Sequence, residues 1–190
     1  MDIESTFLKD VYVINPKVNL DERGFFVETY RADLFKEVGI EDFFVQDNHS
    51  LSVKKNTIRG LYFQFDKPMA KLMRVTKGSA FLVAVDIRKD SPTFGQWIGL
   101  EASADNKKQL YAPAGFARGF QTLEDMTEVQ YKVSAFYNPD GQGEILWNDK
   151  DIDINWPIKE EPVISDKNKN APAFKEWCNN PKSDLFKVNT

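Results

Sequence analysis

The stretch TIRGLYFQ, Thr57 to Gln64, places a guanidinium, Arg59, and a phenol, Tyr62, on either side of Gly60 in a β-like run. Other polar side chains lie in or beside similar runs: Arg23, Glu28, Gln46, Asn48, Lys71, Arg118, Tyr131 and Tyr137. A solvated outer face accounts for any one of them taken singly. If they converge on a cavity, a mouth lined by Arg, Lys and Tyr suits an anionic, hydroxyl-rich ligand.

Other chemistries find little support. A metal centre needs several His or carboxylate ligands converging on one ion, and the chain has one histidine, His49, with no partner pattern. No protein-bound metal and no cofactor is expected. There is no Gly-x-Ser-x-Gly, and the single cysteine, Cys178, has no histidine near it in sequence. GFARGF, 115–120, lacks the lysine and the spacing of a phosphate loop.

The segments that must position these residues are short and β-like. VYVINP (11–16), GFFVETY (24–30), FFVQDNHSLS (43–52), TIRGLYFQF (57–65), QWIGLEAS (96–103), QLYAPAG (109–115), GFQTL (119–123) and EVQYKVSAFY (128–137) recur without long helices between them. That spacing predicts an all-β sandwich or jelly roll. KLMRVTKGSAFLVAVDIR, 71–88, predicts a hairpin about Lys77-Gly78. Short helices are predicted over 32–38 and about 172–178. Strict alternation puts Arg59 with Leu61 and Phe63, and Tyr62 with Ile58 and Gln64, unless Gly60 marks a bulge that re-aims Arg59 or Tyr62.

Composition sets the outer bounds. At 190 residues the chain predicts a single domain, with a core over about 11–157 and a polar C-terminal extension over 158–190. Hydrophobic residues make up 42% and charged residues 28%, as in ordinary globular proteins. A net charge of −4 argues against a nucleic-acid partner. AFLVAV is too short to span a bilayer, and MDIESTFLKD lacks the apolar stretch of a signal peptide. A cytoplasmic protein with no membrane partner is expected.

The motifs accumulate into a family. DERGFFVETY, QDNHSLS, IRGLYFQ, KLMRVTKG, VAVDIRKDSPTFGQW, GFARGF, YKVSAFYNPDGQGEILWND and INWP, in that order, resemble the dTDP-4-dehydrorhamnose 3,5-epimerases along nearly the whole chain. The resemblance implies a cupin-type β jelly roll with short peripheral helices, usually a homodimer in which DERGFFVETY reaches the partner's site. It implies proton removal and return beside the 4-keto group of a nucleotide-linked 6-deoxyhexose, with a dTDP-sugar as partner and no metal or nicotinamide. Arg23, Phe26, Glu28, Gln46, Asn48 and Arg59 match positions that hold the nucleotide and diphosphate, and Tyr137 matches another binding position. Lys71 matches the lysine near the keto oxygen, and Tyr131 the tyrosine acting as general acid.

The base departs from the family pattern. Tyr62 stands at the histidine of the His–carboxylate dyad, Asn168 at its acid, and Arg118 at the histidine of the family's GFAHGF. An ordinary phenol is about 0.1% ionised at pH 7, a deficit of about 4 kcal/mol against imidazole unless nearby cations help. Two functions therefore stay open: an altered epimerase or isomerase that uses Tyr62 as base or relay, or a nucleotide-sugar binder without catalysis.

Overall fold

The structure, a computed structural model, describes residues 1–188. Its strands are short, as the turn spacing predicts. They are β1 (Asp2–Ser5), β2 (Tyr12–Asn15), β3 (Val18–Asp21), β4 (Gly24–Val27), β5 (Gln46–Ser52), β6 (Thr57–Gln64) and β7 (Lys71–Lys77). There follow β8 (Ser79–Asp86), β9 (Trp97–Ser103), β10 (Gln109–Ala112), β11 (Phe116–Thr122), β12 (Thr127–Val133), β13 (Gln142–Glu144) and β14 (Val163–Ile164). Three short α-helices lie at the periphery: α1 (Ala32–Glu37), α2 (Asp166–Lys169) and α3 (Phe174–Cys178). No helix among the described residues is long and apolar enough to cross a membrane.

Two sheets face each other. One runs β1-β2-β10-β7-β12-β5, the other β13-β6-β11-β8-β9, with β14 paired in parallel to β6. Between them lies an interior of Met73, Val75, Leu82, Leu110, Phe116 and Val129 with their neighbours, contributed by both sheets. This is the all-β jelly roll expected from the sequence. Strands β3 and β4 pair with each other in a separate two-stranded hairpin.

Each sheet also needs cover on its outer face. Phe35 of α1 and Ile40 pack with Ile14, Leu72 and Tyr111 over the first sheet. Over the second, Phe174 and Trp177 of α3, with Phe186, pack on Leu61, Phe63, Val83 and Val85. The polar C-terminal extension thus carries apolar anchors that close one side of the core.

Two sequence expectations need correction. The stretch 71–88 is not a hairpin: β7 pairs with β10 and β12, whereas β8 pairs with β9 and β11 in the opposite sheet. Gly78, at φ +69°, turns the chain across the sandwich from one sheet to the other. A tight glycine turn looks the same in sequence whether the strands pair or part. The face assignment along β6 also changes. Tyr62 lies opposite Arg118 and Arg59 opposite Phe120, so three steps on β6 answer two on β11. The extra residue is a bulge, as Gly60 hinted. It places Arg59 and Tyr62 on the cavity side, while Ile58, Leu61 and Phe63 join one core cluster.

Gly60 permits that bulge. It sits at φ +116°, and a Cβ there would meet the Arg118 carbonyl oxygen and the Gly119 Cα at 2.7 Å. No side chain fits between these two backbones.

Candidate active site

The bulge, β7, β11 and β12 together frame two adjoining hollows, of about 420 Å³ and about 120 Å³. Tyr62, Lys71 and Tyr131 line both, so the three expected catalytic residues stand where the hollows meet. Gln46, Asn48 and Tyr137 line the larger one, Arg59 and Arg118 the smaller.

Alternation on β5 turns Gln46 and Asn48 to the same side, where their amides bond at 2.9 Å. Gln46 also accepts the Tyr137 backbone N–H at 3.2 Å, tying that tyrosine to the cavity rim. Arg59 donates to the Ser52 hydroxyl and the Leu51 carbonyl, both at 3.1 Å. The next β5 position, His49, takes the other face of the strand and pairs with Glu128 at 2.9 Å. The only histidine of the chain is therefore outside the cavity.

At the junction the Lys71 ammonium lies 5.1 Å from the centre of the Tyr131 ring. Burial, and then the positive charge of Arg118, bring the Lys71 amine down to about 7. Burial also raises the Tyr131 phenol, with Arg59 opposing, which keeps it protonated as an acid should be. Arg118 is 2% exposed and donates to the carbonyls of Pro113, at 2.7 Å, and Met69, at 3.0 Å. Its Nε is buried with no hydrogen-bond partner among the described residues.

Tyr62 donates its hydroxyl proton to Asn168 Oδ1 at 2.7 Å. Asn168 is 1% exposed and held by Ser165, whose hydroxyl donates to the same oxygen at 3.1 Å. Ser165 caps α2, so the helix start fixes the amide behind the phenol. Asp166, the neighbouring carboxylate, is almost fully exposed and does not reach Tyr62. Composition and periodicity give no hint of this partnership, which spans 106 residues of sequence. Lys167 is a second residue the sequence did not single out: it lies 5.9 Å from the Tyr62 ring centre and is paired with Glu144.

Three expected binding residues are not in this cavity. Arg23, Phe26 and Glu28 sit on or after the β3–β4 hairpin, which forms a two-stranded sheet of its own. Phe26 is 67% exposed, Arg23 pairs with Asp21, and Glu28 lies near Arg31. None of the three lines either hollow. Cys178 is also remote, and burial pushes its thiol up.

A family model described as dTDP-4-dehydrorhamnose 3,5-epimerase matches residues 5–176. The chain belongs to this family. It is 51% identical over 176 residues to the dTDP-4-dehydrorhamnose 3,5-epimerase of Salmonella typhimurium, covering 92% of this chain and 96% of that one. The crystal structure of the epimerase from Elizabethkingia anophelis is similar, with a TM-score of 0.88 at 45% identity, covering 93% of this chain and 97% of that one. The dTDP-6-deoxy-D-glucose-3,5-epimerase of Legionella pneumophila, in complex with dTDP-4-keto-L-rhamnose, gives a TM-score of 0.91 at 39% identity and covers 100% and 98% of the two chains. The dTDP-4-dehydrorhamnose 3,5-epimerases are enzymes of deoxysugar biosynthesis, and the jelly roll described above is their fold. Their likeness speaks for catalysis and gives no support to a binder that has lost it.

Proposed function

We propose that this protein is a metal-independent epimerase or isomerase acting on a dTDP-linked 4-keto-6-deoxyhexose, with Tyr62 in place of the usual base. The observation that carries this reading is the convergence of Tyr62, Lys71 and Tyr131 where the two hollows join, with Tyr62 seated on Asn168. Tyr62 takes the proton from a carbon beside the ketone. Tyr131, kept protonated by burial, returns one from the opposite side. Positive charge lining the smaller hollow opposes the negative charge that grows on the keto oxygen.

The remaining residues bind. Arg59 faces the diphosphate, and Gln46, Asn48 and Tyr137 line the larger hollow beside it. Among the described residues no carboxylate lines either hollow, which suits a doubly charged ligand. In this reading Arg23, Phe26 and Glu28 serve a second copy. The β3–β4 hairpin offers Leu20, Phe25 and Phe26, all exposed, to a homodimer partner and its nucleotide. A monomeric mass by light scattering at micromolar concentration would exclude that arrangement.

The activity is tested by incubating the protein with dTDP-4-keto-6-deoxyglucose in D₂O and following the sugar by NMR. Deuterium at C3, C5 or both is the expected outcome, and its distribution tells whether one centre or two react. Tight dTDP binding with no deuterium incorporation would refute catalysis.

A further inference from the structure

The cavity wall carries Arg59, Lys71, Arg118 and Lys167, and among the described residues no aspartate, glutamate or histidine lines it. Lys167 is paired with Glu144, and Arg59 is bonded to Ser52 and Leu51. Arg118 and Lys71 are left as two cations in one small hollow, with no acid bonded to either among the described residues. Asp42 acts on Arg118 only through space, while its carboxylate accepts the Tyr111 hydroxyl. The other titratable groups around Lys71 are Tyr62 and Arg59 from β6, Tyr131 from β12, and Tyr137 and Lys167 at the larger hollow's rim.

Two like charges in a cavity of low dielectric repel strongly, and one of them yields its proton. A guanidinium keeps its proton in protein interiors, whereas a buried lysine gives it up readily. Burial lowers Arg118 only to about 10, so it stays charged at pH 7, where Lys71, at about 7, is about half neutral.

We propose that Arg118 and Lys71 divide the work of one cation: Arg118 is the permanent charge facing the enolate oxygen, and Lys71 rests as a neutral amine that receives a proton from Tyr62. This deepens, and rests on, the epimerase reading above. In the step, the C–H bond beside the ketone breaks and its proton joins the Tyr62 oxygen. The original Tyr62 hydroxyl proton passes to Lys71 Nζ. The electron pair moves into the enolate, whose oxygen Arg118 stabilises. Tyr131 then gives its hydroxyl proton to the carbon from the other side, and the Lys71 ammonium, lying against that ring, restores it. No proton is gained or lost over the cycle.

Asn168 is arranged to permit the transfer. Its Nδ2 is buried with no hydrogen-bond partner among the described residues, while its Oδ1 accepts from Tyr62. Half a turn of the amide reverses this. Nδ2 then donates to the Tyr62 oxygen, and the phenol proton is released toward the cavity.

The test reads Lys71 directly. In protein carrying ¹³C-labelled lysine, with the Lys71 signal assigned by its loss in Lys71→Arg, that signal should titrate near 7. It should move to higher pH in Arg118→Gln, which removes the opposing charge. Titration in the ordinary lysine range near ~10.4 would overturn the proposal. Lys71→Arg, a permanent cation, should lose at least ~100-fold in deuterium incorporation, with dTDP affinity held within about twofold by calorimetry. Incorporation surviving in Lys71→Arg would show that only a positive charge is needed and would also overturn it. The two levels fail differently. No incorporation by wild type, with Lys71 titrating near 7, refutes the epimerase reading and the proton's route with it. Incorporation by wild type with an ordinary Lys71 refutes the division of labour alone.

Discussion

At the residue scale, the proposed chemistry turns on Tyr62, Asn168 and Arg118, where the resemblance implies a histidine, a carboxylate and a second histidine. A histidine works with a carboxylate because the ring donates to it. A phenol in the same place needs a partner that can both accept and donate, and the Asn168 amide carries both an acceptor and a donor. Rebuilding the older pattern with Tyr62→His, Asn168→Asp and Arg118→His should raise deuterium incorporation at pH 7 by on the order of 10²-fold. No gain, with substrate still bound, would place the decisive change elsewhere in the cavity. Lys71 makes a separate prediction for stability. Its amine is lowered in the folded state, so between about 7 and the ordinary lysine range the unfolded chain binds more protons. Lys71 therefore makes stability rise with pH across that window, and its full penalty stands below it. Lys71→Met should abolish that slope and stabilise the protein at pH 6 by on the order of 2–4 kcal/mol in chemical denaturation. An unchanged slope would mean that Lys71 is solvated. The resemblance named Tyr62, Lys71 and Tyr131 from sequence. Their meeting with Arg118, and the repulsion that follows, is a matter of spatial proximity that periodicity does not carry.

Elements explain why those residues meet. The strand rhythm of the sequence predicted the jelly roll, because turn residues every ten or so positions leave room for little else. Which strands pair was less legible. Lys77-Gly78 has the composition of a hairpin turn, yet Gly78 carries the chain between sheets, and only the partners of β7 and β8 reveal it. The bulge at Gly60 was legible as a possibility, and its consequence was not: Arg59 and Tyr62, three apart, share the cavity because one residue is inserted between paired positions. Gly60→Ala should thus act on both fold and site. Its Cβ would strike backbone at 2.7 Å in a conformation closed to L-residues, so a loss of about 2–4 kcal/mol is expected in urea unfolding. If the variant folds, it should lose deuterium incorporation more than dTDP affinity. A loss under ~0.5 kcal/mol would show that β6 and β11 can part there at little cost.

On the scale of the whole molecule, the C-terminal extension proves integral to the sandwich, and its polar composition hid this. Three aromatic anchors, Phe174, Trp177 and Phe186, sit among lysines and asparagines, too sparse to register as a core segment. Trp177 lies 4.4 Å, ring to ring, from Phe63 of the bulged strand, so this extension braces the back of β6 while Asn168, on the same extension, holds Tyr62 at its front. Trp177→Ala should cost about 3–5 kcal/mol and lower the thermal midpoint, and a near-neutral effect would show that the extension only decorates the sheet. The central claim is that this fold presents Tyr62, backed by Asn168, as the group that removes a proton beside a ketone. The most direct measurement is deuterium incorporation from D₂O into dTDP-4-keto-6-deoxyglucose by wild type and by Tyr62→Phe, with dTDP affinity measured for both. The account predicts incorporation by wild type, a fall of at least ~100-fold in Tyr62→Phe, and affinities within about twofold. Equal incorporation by the two proteins would contradict it.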